Sequence, residues 1–580
     1  MYQYYKNIFE TINAKNIIII GSGLGVIPIL ALKKNMNIVV CDRYPLLARL
    51  SHGNVSKYAL QNNLNMDSVK FINKDYYDMQ FGEDIKEKFD VLLFDDFDNT
   101  LLETGIWDVI TFFKNGFLTE NAKILPGKVN IKCMAIEIPI NNEFFNLSDL
   151  QKNLWSIRSK VFDIDGNDFI KLSGEEEAEI IDFTESCQSI HRKLTFQTIA
   201  SGNWNACLYW YEICGKKQYE LQYLDPKVIK KGDEIHVNLY MSQRKMRFVP
   251  EEGFKTKKSS LLTSWHLDMV NDSERNNAFQ NAIFKKIQNS DEKIERVLDI
   301  GSGVGLLSMM AARANENIKV IACESSQSLS ALSDEIIKYN GYSNQIYVEN
   351  ENILQLVMGK KVDLIICEVF ATGLLGEGVL HFLKHAKSNF INDNGNILPK
   401  SGVIKGMLIE HRIADFDDIN MSLANPYLWH PEYSTVDISS MQYKQLSEPF
   451  EIFEFDFNEP KLDTAEKTIR VDIIEDGVVS AIVFWFDLWL DDEIVLSTSP
   501  FSEKKLHWNQ ALLYLKEVMV KNNEELPLIA FHDGNNINFK LHLENIQKDT
   551  IIQTPRFDPQ WLQQYFDIDK RYQDILSRVT

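Results

Sequence analysis

The sequence contains a long internal repeat, and this repeat restricts the possible folds more than any other feature of the chain. An isoleucine-rich segment ends in Gly21-Ser-Gly-Leu-Gly25, and a second apolar segment ends in Gly301-Ser-Gly-Val-Gly305, 280 positions later. Further landmarks recur in the same order at offsets of 273 to 282: Asp42 and Glu324, Asp95 and Glu368, Pro126 and Pro399, and segments 202–210 and 477–485. Chance matches would not keep both order and spacing, so we interpret the chain as an internal duplication.

Each copy of the repeat begins with about 125 residues in which strand patterns alternate with helix patterns. This alternation is typical of a doubly wound parallel sheet, which binds its ligand at the carboxyl ends of the strands. The rest of each copy is β-rich with turn residues between the strands, as in segments 205–213 and 478–488. We therefore predict an α/β plus β fold: two doubly wound sheets, each followed by an antiparallel, barrel-like β domain.

The repeat also predicts the domain organisation. Residues 1–125 and 126–250 are expected to form the parallel and the antiparallel domain of the first copy. Residues 262–398 and 399–580 are expected to form the corresponding domains of the second copy. The segment 248–264, which holds three lysines between positions 255 and 258, is the predicted linker between the copies.

The second glycine turn has the chemistry of a nucleotide-type site. Glycines let the backbone approach a ligand closely, and the helix that follows offers unpaired N–H groups. The next strand ends in Cys323-Glu324, which places a carboxylate where a ribose diol would bind. This pattern alone fits a dinucleotide site and an S-adenosylmethionine site equally well.

Three further segments narrow the choice. Two glutamates lie nine residues apart in Cys367-Glu-Val-Phe-Ala-Thr-Gly-Leu-Leu-Gly-Glu-Gly378, a loop that leaves a strand end beside the glycine turn. A predicted helix, Trp265-His-Leu-Asp-Met-Val-Asn-Asp-Ser-Glu-Arg-Asn276, precedes that turn. Leu506-His-Trp-Asn-Gln510 lies far downstream, next to a β segment. Together these segments resemble protein arginine N-methyltransferases, and in particular the tandem members numbered seven and nine.

The resemblance covers residues from about 262 to 580 and, more faintly, the first copy. It implies that both sheets are Rossmann-like methyltransferase sheets and that S-adenosyl-L-methionine is the cofactor. The implied cofactor-binding residues are His266, Met269, Arg275, Asp299, Gly301, Gly303, Gly305 and Glu324. Arg275 would bind the cofactor carboxylate and Glu324 the ribose hydroxyls. The implied catalytic residues are Glu368 and Glu377, which would hold the substrate guanidinium, and His507 and Trp508, which would close the arginine pocket.

Paired glutamates suit this chemistry on physical grounds. A guanidinium carries no free lone pair and has a pKa above about 12, so it does not deprotonate readily. Two carboxylates that grip its planar fork can draw positive charge away from the attacking nitrogen. They also balance the charge as a cationic methyl moves onto that nitrogen, and one of them can accept the released proton.

The first copy lacks these groups. When Asp95 is aligned with Glu368, the position of Glu377 falls on Thr104, with Glu103 one residue away. No His-Trp pair follows, and residues 1–12 offer no counterpart of Arg275. We predict that this copy keeps the fold without catalysis and replaces a second subunit, because a fused pair can form an intramolecular pseudo-dimer. Segments 140–175 and 412–435 are the predicted contact arms.

Composition sets outer limits on function. A net charge of −21 disfavours direct nucleic-acid binding and suits a basic, arginine-containing protein substrate. Seven cysteines without a CxxC pair disfavour a disulfide framework and a zinc ribbon, so no metal site is expected. The longest apolar stretch, 17–32, is interrupted by glycines and Pro28, so no membrane span is expected. The N-terminal residues show no secretory signal pattern, and we expect a cytoplasmic, possibly nuclear protein.

Several alternatives stay open at the level of sequence. The substrate could be free arginine or a small guanidino compound, which an enclosed pocket would favour. The chain could also be an inactive scaffold, because Leu506 and Cys367 depart from the family pattern. A nicotinamide dehydrogenase is disfavoured by the acidic loop. Monomethyl or symmetric dimethyl arginine fits the resemblance better than the asymmetric product.

Overall fold

The computed structural model describes residues 2–97, 101–140, 142–148, 150, 160–162, 164, 169–185, 189–252, 264–288, 293–428, 430 and 432–542. Most of the predicted linker, residues 253–263, and the C-terminal part of the last predicted domain, 543–580, lie outside these residues. The central part of the first predicted contact arm, 151–159, does so as well.

The chain begins with a five-stranded parallel sheet. Its strands are β1 (Asn16–Ile20), β2 (Asn37–Cys41), β3 (Val69–Ile72), β4 (Phe89–Phe94) and β5 (Leu118–Leu125), in the order β3-β2-β1-β4-β5. The helices are α1 (Tyr2–Thr11), α2 (Val26–Leu32), α3 (Pro45–Gln61) and α4 (Ile106–Lys114). Because strand β1 is buried along nearly its whole length, it reads as a continuous apolar run instead of an alternating one.

Antiparallel strands follow the first parallel sheet. They are β6 (Lys128–Glu137), β7 (Lys160–Val161), β8 (Ile170–Lys171), β9 (Glu176–Asp182), β10 (Ile190–Gln197), β11 (Gly202–Ile213), β12 (Lys216–Ile229), β13 (Glu234–Met241) and β14 (Met246–Pro250). One sheet has the order β7-β12-β11-β6-β8, with β9 on β6, and the other has the order β10-β13-β14.

The second half repeats the parallel sheet. Its strands are β15 (Arg296–Ile300), β16 (Lys319–Cys323), β17 (Ile346–Glu349), β18 (Val362–Cys367) and β19 (Ile391–Leu398), in the order β17-β16-β15-β18-β19. The helices are α5 (Ser264–Asn271), α6 (Ser273–Gln288), α7 (Leu306–Ala314), α8 (Gln327–Tyr339) and α9 (Val379–Asn389). The prediction of doubly wound, Rossmann-like sheets is confirmed.

The second half also ends in antiparallel strands. They are β20 (Ser401–Glu410), β21 (Ser434–Val436), β22 (Lys444–Gln445), β23 (Phe450–Asp456), β24 (Ala465–Asp472), β25 (Gly477–Trp489), β26 (Val495–Ser497), β27 (Gln510–Val520), β28 (Glu525–His532) and β29 (Ile537–Leu541). One path runs β21-β27-β25-β20-β22 and another β24-β28-β29. Among the described strands, the first and last strands of each path do not pair with each other, so the predicted barrel-like closure is not confirmed. The domain boundaries also stay predictions.

A segment of each half packs against the other half. In one direction, Phe145 packs edge-on against Tyr342, with ring centroids 5.8 Å apart, and the Asn146 N–H donates to Asn340 Oδ1 at 2.9 Å. In the other direction, Asp417 accepts from Tyr2 at 2.9 Å and from Lys6 at 2.7 Å. Beside that contact, the side chains of Ile419 and Met421 are buried in the core of the first half.

Within the described ranges, every helix is too short or too polar to cross a bilayer.

Candidate active site

A cavity of about 740 Å³ opens at the carboxyl ends of β15, β16 and β18. It brings together almost all the residues that the sequence predicted. Those that line it are His266, Met269, Arg275, Asp299, Gly301, Gly303, Glu324, Glu368, Glu377, His507 and Trp508. Gly305 does not line it: this glycine precedes α7, and a Cβ there would lie 2.7 Å from Ser333 Oγ. Gly305 therefore serves helix packing at this point of the fold.

The glycine turn forms one wall of the cavity. Gly301 and Gly303 have φ values of 69° and 54°, a region that side chains other than glycine rarely adopt. A Cβ on Gly301 would lie 2.5 Å from Val369 Cγ1, so this glycine lets the acidic loop approach the turn. The hydroxyl oxygen of Ser302 is buried beside the cavity and has no hydrogen-bond partner among the described atoms.

Glu324 is fixed by backbone groups on both sides. Its Oε2 accepts from the N–H of Gly303 at 3.0 Å, and its Oε1 accepts from the N–H of Ser326 at 2.7 Å. Each carboxylate oxygen can accept about two hydrogen bonds, so both keep capacity for a ligand hydroxyl. The end of β16 thus presents a preoriented acceptor pair to the cavity.

Arg275 and Glu368 form a buried ion pair, which the sequence did not predict. Arg275 Nη2 contacts Glu368 Oε2, and the two side chains are 2% and 8% exposed. Arg275 Nη1 donates to Asn276 Oδ1 at 2.7 Å, and the guanidinium lies 5.2 Å from the centre of the Phe279 ring. Its Nε is buried without a partner among the described atoms. The helix that carries Arg275 is therefore tied directly to the acidic loop.

Glu377 completes the acidic loop. Its side chain remains accessible, while the surrounding protein raises the pKa of the carboxyl, with burial the larger cause and the negative charge of Glu368 the second. Since like charges repel across a cavity, the pair gains most when a cation lies between its members. The loop is thus preorganised for a positively charged group.

His507 is held by Asp272, a functional candidate that the sequence reasoning missed. Asp272 Oδ2 accepts from the His507 backbone N–H at 2.8 Å and lies 3.0 Å from Nδ1 of the ring. Asp272 Oδ1 also accepts from the Arg275 N–H at 2.9 Å. Burial opposes ionisation of Asp272, but these hydrogen bonds lower its pKa overall. A carboxylate on Nδ1 keeps the proton there and leaves Nε2 as the acceptor of the ring.

Trp508 fixes the acidic loop from the opposite side. Its Nε1–H donates to the Phe370 carbonyl at 3.1 Å, and its ring meets Phe486 edge-on at 5.6 Å. The indole is 8% exposed. Trp508 therefore acts as a packed support for the loop as well as a wall of the cavity.

Asp299 lies beneath the cavity in strand β15. It is 1% exposed and accepts from Ser308 Oγ at 2.6 Å. Burial is the main reason that the pKa of Asp299 rises to about 7, and the negative charge of Glu368 adds to it. This aspartate therefore titrates near neutral pH in the folded protein.

The Asp299 titration predicts a pH-dependent stability. The pKa is about 7 in the folded state and 3.8 for an ordinary aspartate, so between these values the folded state binds more protons than the unfolded state. This aspartate's contribution to stability should therefore fall as the pH rises from about 4 to about 7. We expect the melting temperature of the wild type to drop more than that of Asp299→Asn between these two pH values in thermal unfolding. Asp334→Asn, on the surface of α8, should follow the wild type; equal slopes in all three proteins would contradict the prediction.

The corresponding place in the first half is largely filled. Its cavity has a volume of about 100 Å³. Tyr5 Oη donates to Asp95 Oδ1 at 2.5 Å, and the Ser22 N–H and Oγ donate to Asp42 Oδ2 at 2.8 and 2.6 Å. Burial raises the pKa of Asp95 to about 6. Asp95 corresponds to Glu368, the partner of Arg275 in the second half, and in the first half Tyr5 is its partner instead. Thr104, at the position of Glu377, lines the small cavity and carries no charge.

Comparisons with known proteins agree with this geometry. Residues 280–398 match the methyltransferase small domain, and residues 407–544 match the arginine methyltransferase oligomerization subdomain. An arginine N(omega)-methyltransferase from Streptomyces achromogenes subsp. streptozoticus is 32% identical over 46% of this chain and 74% of its own length.

Two longer relatives match as well. A protein arginine N-methyltransferase 7 from Oryza sativa subsp. indica is 29% identical over 49% of this chain and 46% of its own length. A protein arginine N-methyltransferase 9 from Homo sapiens is 31% identical over 46% of this chain and 36% of its own length. The matched region thus spans less than half the length of these two curated relatives.

Proposed function

The chain belongs to the arginine methyltransferase family, and from this premise we propose that its second half is an S-adenosylmethionine-dependent arginine N-methyltransferase that acts on proteins. One observation carries the proposal: the glycine turn with Glu324 and the acidic loop with Glu368 and Glu377 meet in a single cavity. One wall suits a nucleoside and the other suits a guanidinium. Methyl transfer needs both ligands in contact.

The residues present fit the cofactor. The turn around Gly303 lets a ligand approach the backbone closely, and the Glu324 carboxylate can still accept hydrogen bonds from ribose hydroxyls. The buried Ser302 hydroxyl has no hydrogen-bond partner among the described atoms and can bond to a ligand. The free Arg275 Nε–H is available to a ligand carboxylate. When bound, S-adenosylmethionine supplies an electrophilic methyl group on a positively charged sulfur.

The acidic loop then has to hold and aim the acceptor. Glu368 and Glu377 accept hydrogen bonds from the guanidinium fork and draw its positive charge away from the attacking nitrogen. A fixed direction of attack is worth several kcal/mol of the barrier, within the ~7–11 kcal/mol that alignment can supply. A new N–C bond forms as the S–C bond breaks, and the methylated nitrogen loses one proton. Glu377, whose pKa is raised by burial and by the charge of Glu368, is placed to accept this proton.

Charge around the cavity supports a protein substrate over free arginine. Its described lining carries six carboxylates, those of Asp268, Asp299, Glu324, Glu351, Glu368 and Glu377. Arg275 is the one guanidinium or ammonium group among the described lining residues, and it is already paired with Glu368. Free arginine would bring an α-carboxylate that needs a cationic partner, whereas an arginine within a peptide would not. The Streptomyces relative keeps free arginine as the second candidate substrate, since its name specifies arginine itself.

We further propose that the first half is a degenerate copy that completes an intramolecular pseudo-dimer. The identical strand order of the two parallel sheets supports a tandem duplication. The reciprocal contacts of Phe145 with Tyr342 and of Asp417 with Lys6 support the pseudo-dimer. The segment around Asn142 also reaches the catalytic half, since Asn142 Nδ2 donates to the Val270 carbonyl at 3.3 Å, on the helix that carries His266.

The direct test is transfer of labelled methyl from S-adenosylmethionine to defined acceptors. We expect methylation of an arginine-glycine-rich peptide, with monomethyl or symmetric dimethyl arginine as the product in mass spectrometry. A peptide with lysine in place of arginine is the matched control and should stay unlabelled. Labelling of free arginine alone would favour the second candidate. Cofactor binding without transfer to any guanidino acceptor would contradict the proposed activity and favour an inactive scaffold.

Cofactor binding should distinguish the two halves. Glu324→Ala removes an acceptor pair fixed by two backbone N–H groups, and the loss of charged hydrogen bonds should weaken binding at least about tenfold. Asp42→Ala changes the corresponding acid in the half whose cavity is about 100 Å³, so binding should stay within about twofold of the wild type. Isothermal titration with S-adenosylhomocysteine should give one site per chain. Two sites, or equal losses in the two variants, would contradict the degenerate reading of the first half.

A further inference from the structure

Tyr433 packs against the tip of the acidic loop although it does not line the cavity. A Cβ on Gly373 would lie 2.9 Å from both Cζ and Oη of Tyr433, and a Cβ on Gly376 would lie 3.1 Å from the same Oη. Burial is the main reason that the pKa of this phenol is raised, and the negative charge of Glu377 adds to it. Two glycines of the loop thus provide the space that one ring fills.

The other side of Tyr433 is anchored in the β domain. Its ring meets Phe484 edge-on, with centroids 5.3 Å apart, and Phe484 itself is fully buried. The loop is attached to the same segment a second time, because the hydroxyls of Thr372 and Thr435 lie 3.0 Å apart. The position of the loop is therefore set by the segment that begins with Tyr433.

This segment also leads to the His507 side of the cavity. Strand β21 pairs with β27, with Val436 opposite Gln510, two residues after Trp508. One short strand thus contacts the acidic loop at one end and the start of β27 at the other. Movement of the segment would change the spacing between Glu377 and the His507–Trp508 wall.

We propose that Tyr433 is a positioning residue for the acceptor arginine: it holds the Gly373–Gly376 tip of the acidic loop and so fixes where Glu377 meets the guanidinium. The inference rests on the proposed function, and it names a residue that fixes the position of the loop that would bind the acceptor arginine. The proposed cofactor contacts are the glycine turn, Glu324 and Arg275, which belong to segments other than the Gly373–Gly376 tip, so Tyr433 should affect the acceptor and leave the cofactor unaffected.

Kinetics of three variants test the assignment. Tyr433→Ala removes ring and hydroxyl, and we expect the KM for an arginine-glycine-rich peptide to rise at least about tenfold, a loss of about 1.4 kcal/mol, while S-adenosylhomocysteine affinity stays within twofold. Tyr433→Phe keeps the ring and should recover most of the wild-type KM. Gly373→Ala inserts a methyl group against the ring and should reproduce the Tyr433→Ala defect. In the double variant Gly373→Ala/Tyr433→Ala the two losses should not add, because the clash is gone.

The outcomes separate this inference from the proposed function. A wild type that methylates no guanidino acceptor overturns both. A wild type that is active, with variants whose peptide KM is unchanged, overturns the role of Tyr433 alone. Equal losses of peptide and cofactor affinity in Tyr433→Ala, or fully additive losses in the double variant, also overturn it, since they would indicate general damage. Thermal unfolding of each variant identifies a folding defect, and Gly373→Ala keeps the tyrosine if Tyr433→Ala does not fold.

Discussion

Glu368→Gln should abolish most of the methyl transfer, and it should also cost stability because the buried Arg275 charge loses its ionic partner. The substitution keeps the shape of the side chain and one acceptor oxygen, but it removes the negative charge that contacts Arg275 and that, in the proposed function, faces the guanidinium. The loss of one preorganised electrostatic partner of a transition state typically costs about 10²–10³ in kcat. We expect a loss in this range with labelled S-adenosylmethionine and an arginine-glycine-rich peptide.

The controls for Glu368→Gln separate charge from general damage. Glu377→Gln should also lower kcat, and a flattened acid limb of its pH–rate profile would show that Glu377 takes the proton. Glu454→Gln changes an exposed glutamate on β23 and should leave transfer unchanged. If Glu368→Gln kept the wild-type rate, the acidic loop would not be the acceptor site, and the proposed chemistry would be wrong.

The acidic loop and the glycine turn could be predicted because their chemistry lies in short, local patterns. Glu368 and Glu377 follow one strand and Glu324 follows another, and parallel strands bring their carboxyl ends to the same edge. Gly305 shows the limit of this reasoning. Spacing placed it in the glycine turn, but whether its missing Cβ faces a ligand or Ser333 depends on how helix α8, the next helix of the chain after α7, packs against the turn.

Partners across long sequence separations escaped prediction. Asp272 and His507 are 235 residues apart, although the acidic residue was visible within the helix motif. In the first half, the hydrogen bond between Tyr5 and Asp95 was likewise not predicted. The sequence indicated that this half lacks a counterpart of Arg275, but it did not indicate that a tyrosine would fill the space. The barrel-like closure rested on strand pairings that periodicity alone does not determine.

The buried pair of Arg275 and Glu368 links stability to the proposed acceptor site. Its two members belong to the glutamate loop and to helix α6, whose first turn is held by Asp272, so one contact joins both walls of the cavity. Buried ion pairs add little net stability when both members are present, because desolvation offsets the attraction. Removal of a single member leaves a buried charge without compensation, and that is costly.

Arg275→Met should therefore destabilise the protein by about 3–5 kcal/mol, the usual loss when one member of a buried ion pair is removed. The matched control is Arg470→Met, because Arg470 also pairs with a glutamate, Glu525, but the two side chains are 75% and 47% exposed. An exposed pair contributes at most about 1 kcal/mol, so this control should melt near the wild type. The double variant Arg275→Met/Glu368→Gln removes both charges and should recover part of the lost stability in denaturant unfolding, although it should not recover cofactor binding. If Arg275→Met lost no more stability than Arg470→Met, the pair would not be the structural link between the two walls.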